Sequence, residues 1–285
     1  MSSLTTFARR RAVAPSRQGL GPLAALLLLL AVAYFLVPVY IMFKVSVSSP
    51  GEILRQFPAF WIEEFTWRHW EQVLTSGNLW APLRKSLVVA TGATLLTLLL
   101  AVPAAYAISR LPPRPRYTAI IALFFTRMFP DVGVALPIAV IFLKYNLLDS
   151  DLGLILAHAN LVLPLAAWVL VGTFNTIPRE LEQAAEVDGA SRLRALWSVA
   201  LPLARPGIAV AAIFVWLASW NEFTYAMYLT LGKRTLPLLT YYYITRGNWF
   251  QSAAYSAILT IPVLLVTLFL QRYLRSGYLS GSLKG

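Results

Sequence analysis

The sequence predicts an all-α membrane protein with six transmembrane helices, and three observations carry that prediction. Hydrophobic residues make up 58% of the 285-residue chain and charged residues only 13%, with a mean hydropathy of +0.66. Soluble domains rarely show such a balance. The apolar residues gather into six runs near 20–46, 85–108, 117–143, 153–173, 206–230 and 254–274. Each is close to the roughly 20 residues needed to cross a hydrocarbon core about 30 Å thick. The third observation is a polar insert, 174–205, between the fourth and fifth runs.

The expected organisation is a tail (1–19), a first span (20–47), an outer segment (48–83), a core (84–275) that includes the polar loop, and a second tail (276–285). Arg9, Arg10 and Arg11 before the first run and small residues such as Ser46 and Ser48 after it resemble a signal peptide. The run is much longer than the ~7–15 apolar residues of a signal sequence, so an uncleaved helix is the better reading.

A net charge of +12 in a soluble chain would point to nucleic acid, but its placement here decides otherwise. Arg9, Arg10, Arg11, Arg17, Arg110, Arg114, Arg116, Arg179, Arg192, Arg194, Arg205, Arg272, Arg275 and Lys284 all fall on one side if the amino terminus is cytoplasmic. This follows the positive-inside rule and places both termini in the cytoplasm. There is no basic, aromatic groove outside these flanks to take up a nucleic acid. The absence of cysteine excludes disulfide and thiolate chemistry.

In the outer segment, residues 63–74 carry apolar positions every three or four residues and predict an amphipathic surface helix, with Trp61, Trp67, Trp70 and Trp80 suited to an interfacial belt. Contact with a soluble partner is the other use of that helix. His69 and His158 are isolated imidazoles without companions at metal-ligand spacing, so no metal site is expected.

In the polar loop, Pro178 suits a helix start, Glu180 and Glu182 favour the positive end of its dipole, and Gly189 can end it, giving a helix over 178–188. Ser191 can cap a second short helix that stops before Leu201-Pro202. Leu181, Ala184, Ala185 and Asp188 share one face of the first helix. Small side chains there let another surface approach the backbone; a helix resting on the bilayer is the plainer alternative.

The run Glu182-Gln183-Ala184-Ala185-Glu186-Val187-Asp188-Gly189-Ala190, followed by Val199 and Leu201-Pro202, resembles the EAA loop of permease subunits in binding-protein-dependent ABC importers. Its pattern is Glu-Ala-Ala, three residues, Gly, nine residues, Ile, one residue, Leu-Pro. Phe129-Pro130, Pro137, the stretch Asp149 to Leu156, Pro164 with Trp168, the stretch Ile177 to Leu181, Trp220-Asn221-Glu222-Phe223 and the terminal Gly281 to Gly285 are similar in order to landmarks of the maltose-type permease subunits. The likeness covers about 80–285.

This resemblance implies the type I ABC importer permease fold and a coupling helix that docks on an ATPase through Glu182, Ala184, Ala185, Asp188, Gly189, Leu201 and Pro202. It also implies an ATPase-contacting tail at Leu283, Lys284 and Gly285, where Ser282 and Leu283 depart from the usual glycines and Val. The implied partners are a second, different permease subunit, two ATPase subunits and an extracytoplasmic sugar-binding protein, in the plasma membrane of a bacterium or archaeon. The implied cargo is a di- or oligosaccharide such as maltose or trehalose, with glycerol phosphate as the nearest alternative. No Gly-x-x-x-x-Gly-Lys-Ser/Thr phosphate cradle occurs, so ATP and Mg belong on the partner ATPases and no cofactor is expected on this chain.

Charged residues in the spans need their own account. Arg127 and Asp131, four apart in the third run, form either an internal ion pair or a polar lining of the substrate path. Asn221 and Glu222, beside Trp220 and Phe223, offer groups that hold sugars, or else serve packing or gating. Pro103, Pro130, Pro137, Pro164 and Pro262 predict kinks. The aromatic stretch 231–251 corresponds by the resemblance to a loop that reaches the binding protein. A membrane enzyme would need a carboxylate or His constellation, and Glu180, Glu182, Glu186 and Asp188 do not form an Asp-rich metal pattern. A channel would not need an ATPase dock.

Overall fold

A computed structural model describes residues 21–277. They form α1 (Pro22–Val47), α2 (Pro50–Ile53), α3 (Arg68–Thr75), α4 (Trp80–Arg110), α5 (Pro113–Phe125), α6 (Asp131–Lys144), α7 (Asp151–Asn175), α8 (Arg179–Val187), α9 (Arg192–Ala195), α10 (Leu201–Trp220), α11 (Thr224–Leu229), α12 (Leu236–Thr245) and α13 (Trp249–Gly277). They divide into two units, one ending at Met42 within α1 and the other beginning at Phe43.

The second unit is built on α4, α7 and α10. Along α4 the buried positions Ala90, Ala93, Thr94, Thr97, Ala101 and Ala105 recur every three or four residues, a seam of small side chains that lets helix backbones approach closely where water cannot drive association. Val162, Ala166, Ala167, Leu170, Val171 and Phe174 of α7 and Ala204, Ala211 and Val215 of α10 complete one buried cluster with the far half of that seam. The fit is tight at Gly207, where an added Cβ would lie 2.3 Å from the Thr173 side chain. A second cluster joins α3, α4, α12 and α13 through Val73, Leu79, Ala90, Leu236 and Tyr255.

Five helices among the described residues, Pro22–Val47, Trp80–Arg110, Asp151–Asn175, Arg192–Trp220 and Trp249–Phe269, are long and apolar enough to cross a membrane singly. The third expected span, 117–143, is not one helix. It consists of α5 and α6, of 13 and 14 residues, each about 20 Å long, with a break at 126–130. Pro130 lacks an N–H and disfavours the helical region at Phe129, which favours a break here, whereas Pro103, Pro137 and Pro164 are accommodated inside continuous helices.

Two other expectations are corrected. The outer helix begins at Arg68 rather than at residue 63, because 63–65 are recruited into extended pairing. Ser49 N–H donates to the Glu64 carbonyl, Ser48 pairs with Phe65, and the Glu52 carboxylate accepts the Glu63 and Glu64 N–H groups at 3.3 and 2.8 Å. Lys44 closes this element with a buried ion pair to Glu52 at 2.8 Å, and Lys44 holds the Glu52 carboxyl down to about 2. Nor does the second loop helix stop before Leu201-Pro202. α9 runs through a π-turn, Leu196–Ala200, into α10. There Leu201 N–H reaches back to the Leu196 carbonyl, and the shift leaves Pro202 in the first turn, where no N–H is needed.

Candidate functional site

The polar loop folds as expected in its first half. Pro178 precedes α8, and Gly189, at φ +87°, ends it. The Gly189 N–H donates to the Glu186 carbonyl at 3.0 Å and the Ala190 N–H to the Ala185 carbonyl at 2.9 Å, the pair of bonds that defines a Schellman stop. Ser191 then caps α9, its hydroxyl accepting the Arg194 N–H at 3.3 Å.

The helix is bolted to the bundle along one edge. Glu182 is buried. Its carboxylate accepts from Tyr106 Oη at 2.8 Å and Arg110 Nε at 3.2 Å, and Arg110 Nη2 pairs with its other oxygen. Arg110 Nη1 also donates to the Phe174 carbonyl at 3.1 Å, and Arg179 donates to the Ser109 carbonyl at 3.2 Å. One guanidinium thus ties the ends of α4 and α7 to α8.

The remaining loop residues look outward. Leu181, Ala184, Asp188 and Gly189 are exposed, Ala185, Leu201 and Pro202 half-buried. Glu182 therefore does not share the outward face; counting back from Ala184, the acid position of the Glu-Ala-Ala pattern is held by Gln183, which is exposed. Val187 at 87% exposure, Leu193 at 65% and Trp197 at 67% add an apolar surface that the sequence reading did not single out. Tyr106 and Arg110 were missed as well, although a lone arginine closing an apolar run was a usable signal.

The residues assigned to a substrate path fall into two pairs, Arg127 with Asp131 and Asn221 with Glu222, and Arg127, Asp131 and Glu222 all lie within electrostatic reach of Tyr225. Arg127 and Asp131 pair at 3.2 Å with both side chains partly exposed, but across the α5–α6 break rather than along one helix face. Asn221 caps α10 and donates its side chain to the Leu217 carbonyl at 2.9 Å. Glu222 is buried in the turn between α10 and α11, accepting the Tyr225 and Ala226 N–H groups at 2.7 and 3.1 Å. His158, which sequence spacing left isolated, lies 3.1 Å from Glu222 through Nε2 and 2.8 Å from Ser219 Oγ through Nδ1. Among the described residues no group of three His, Cys, Asp or Glu could hold a metal ion. The tail at Leu283, Lys284 and Gly285 lies outside the described residues.

Comparison with known proteins places this architecture. The chain is 30% identical over 252 residues to the diacetylchitobiose uptake system permease protein DasC of Streptomyces coelicolor, covering 87% of this chain and 91% of the relative. It is 32% identical over 227 residues to the trehalose/maltose transport system permease protein MalG of Thermococcus litoralis, covering 77% and 82%. The fold matches a chain of a bacterial ABC transporter that imports the acidic polysaccharide alginate, with TM-score 0.73 and 24% identity over 88% of this chain and 95% of that one. The family described as binding-protein-dependent transport system inner membrane component matches residues 97–279, and the chain belongs to it, as a multi-pass permease subunit.

Proposed function

We propose that this chain is one permease of a heteromeric ABC importer for sugars, with di- or oligosaccharides as cargo, working by alternating access. The observation that carries this reading is the joint at α8. Its exposed face can be gripped from outside while its buried edge is fastened to α4 and α7 by Arg110, and its continuation through α9 and the π-turn becomes α10. Movement imposed on the knob is therefore delivered to the three helices that form the core. Packed interfaces of this kind shift as rigid bodies between discrete arrangements, which is what coupling requires.

The ATPase pair grips Ala184, Ala185, Asp188 and Gly189 from the cytoplasm and carries out all ATP and Mg chemistry. A binding protein delivers solute at the opposite end, and a second permease completes the cavity; both termini of this chain are cytoplasmic. Relatives named for diacetylchitobiose and for trehalose/maltose support a saccharide cargo. The test is ATP hydrolysis in proteoliposomes by the complex purified through this subunit, with its binding protein and a panel of di- and oligosaccharides. Stimulation by one liganded binding protein is expected. A purified chain with no associated ATPase and no response to any sugar would overturn the reading.

A further inference from the structure

At the end of α4 opposite Arg110 lies a cavity of about 530 Å³ lined by Asn78, Arg84, Lys85, Asp151, Lys233 and Arg234 among others. Its least expected member is Lys85. The residue is only 6% exposed, yet its Nζ makes no hydrogen bond. Asp151 Oδ1, on a half-exposed side chain, stands 3.5 Å away. An ammonium carries three donors, and with one long ion pair to Asp151 as its only partner a buried Lys85 leaves most of them unused, which is costly unless something else completes the site.

The cavity wall is constructed rather than incidental. Asp149, in left-handed backbone at φ +58°, accepts the N–H groups of Leu231, Gly232 and Lys233 at 3.1, 3.3 and 3.2 Å. This fixes the loop that carries Lys233 and Arg234 to the mouth. Burial works against ionising Asp149, but those three N–H groups override it and hold its carboxyl below the usual range. The lining holds four cations, Arg84, Lys85, Lys233 and Arg234, against the carboxylate of Asp151; the Asp149 carboxylate behind the loop also acts on Lys85, and cations still outnumber carboxylates. A smaller cavity of about 380 Å³ continues past Arg234 to Tyr242 and Arg246. The guanidiniums of Arg234 and Arg246 lie 4.2 and 4.3 Å from the Tyr242 ring centroid, so this extension brings a further positive charge.

We propose that this cavity binds a carboxylate, with Lys85 as the buried anchor and Lys233 and Arg234 as the entrance. A carboxylate oxygen placed on the Lys85 ammonium makes the short, charge-assisted bond that the site lacks. The carboxylate is presented either by an acidic saccharide or by an acidic side chain of the binding protein. The site rests on its own geometry; only the choice between those two sources rests on the transport reading above.

The test uses the intact transporter complex in nanodiscs and reads binding alone, so it does not depend on uptake or ATP hydrolysis. In one arm trigalacturonate is titrated by calorimetry against neutral maltotriose; in the other the cognate binding protein is titrated. Lys85→Met, and separately the pair Lys233→Gln with Arg234→Gln, an exposed and a half-buried side chain of the surface loop, should weaken trigalacturonate or the binding protein by about tenfold, leaving maltotriose unchanged. Loss in the first arm identifies a solute carboxylate, loss in the second a protein carboxylate. Unchanged affinity in both arms for the Lys233→Gln/Arg234→Gln variant overturns the proposal, as does an equal loss for maltotriose.

Discussion

The two ends of α4 treat a cation in opposite ways. At its last residue the half-buried Arg110 uses all three of its nitrogens, bonded to Glu182 and to the Phe174 carbonyl, and lies over the Tyr106 ring. In its first turns Lys85 sits buried without a hydrogen bond beside a cavity. Over the roughly 46 Å between the ends of this 31-residue helix, one end behaves as a rigid fastening and the other as an open receptor. A helix that must transmit movement needs the first; a face that must meet a visitor needs the second.

The largest effect is expected from breaking the fastening. Glu182→Lys places a second cation beside Arg110 and removes the carboxylate that Arg110 pairs with, leaving it only the Phe174 carbonyl and the Tyr106 ring, a loss of about 3–5 kcal/mol for a buried pair. Transport should fall below detection, and hydrogen exchange should rise through 179–187; an unaltered exchange pattern would show that Arg110 does not hold α8. Gly189→Asp comes next. Its φ of +87° makes an Asp there strained by about 1–2 kcal/mol, although an added Cβ meets nothing within 4 Å. Transport is expected to be blocked with assembly partly intact, and normal ATP-dependent uptake by that variant would remove the docking role of this turn.

Much of this was legible in the sequence, and what was not has a common cause. Hydropathy located the apolar runs, and Pro178, Gly189 and Ser191 announced the α8–α9 corner because each acts on its own backbone. The break at 126–130 was hidden inside a run whose side chains remain apolar. Pro130 predicts a kink, yet hydropathy does not register a lost ladder. The π-turn rescues Pro202 by a backbone shift that no residue type signals. Which way Glu182 points, and that His158 meets Glu222, depend on how α4, α7 and α10 pack, which local periodicity cannot supply.

Smaller effects sharpen the contrast elsewhere. Glu222→Ala removes the acceptor of two N–H groups at the start of α11, and should lower thermal stability of the complex by about 1–2 kcal/mol; no shift in the melting temperature would show that the turn holds without it. The outer segment should loosen in acid. Burial depresses the His69 pKa, opposed by its contact with the Ser48 carbonyl, so the neutral ring is favoured and stability falls as pH drops below the ordinary 6.5. The Glu52 carboxyl, lowered from 4.5 to about 2, adds stability that is complete above 4.5 and lost between those values. Limited proteolysis within 48–67 should therefore accelerate in acid, in two stages; a flat profile would contradict both assignments.

The most direct test of force passing through the Arg110–Glu182 joint is the number of sugar molecules imported per ATP hydrolysed, measured in proteoliposomes for the wild-type complex and for Glu182→Ala. The account predicts that the variant continues to hydrolyse ATP while its import per ATP collapses. An unchanged ratio in a correctly assembled variant would contradict it.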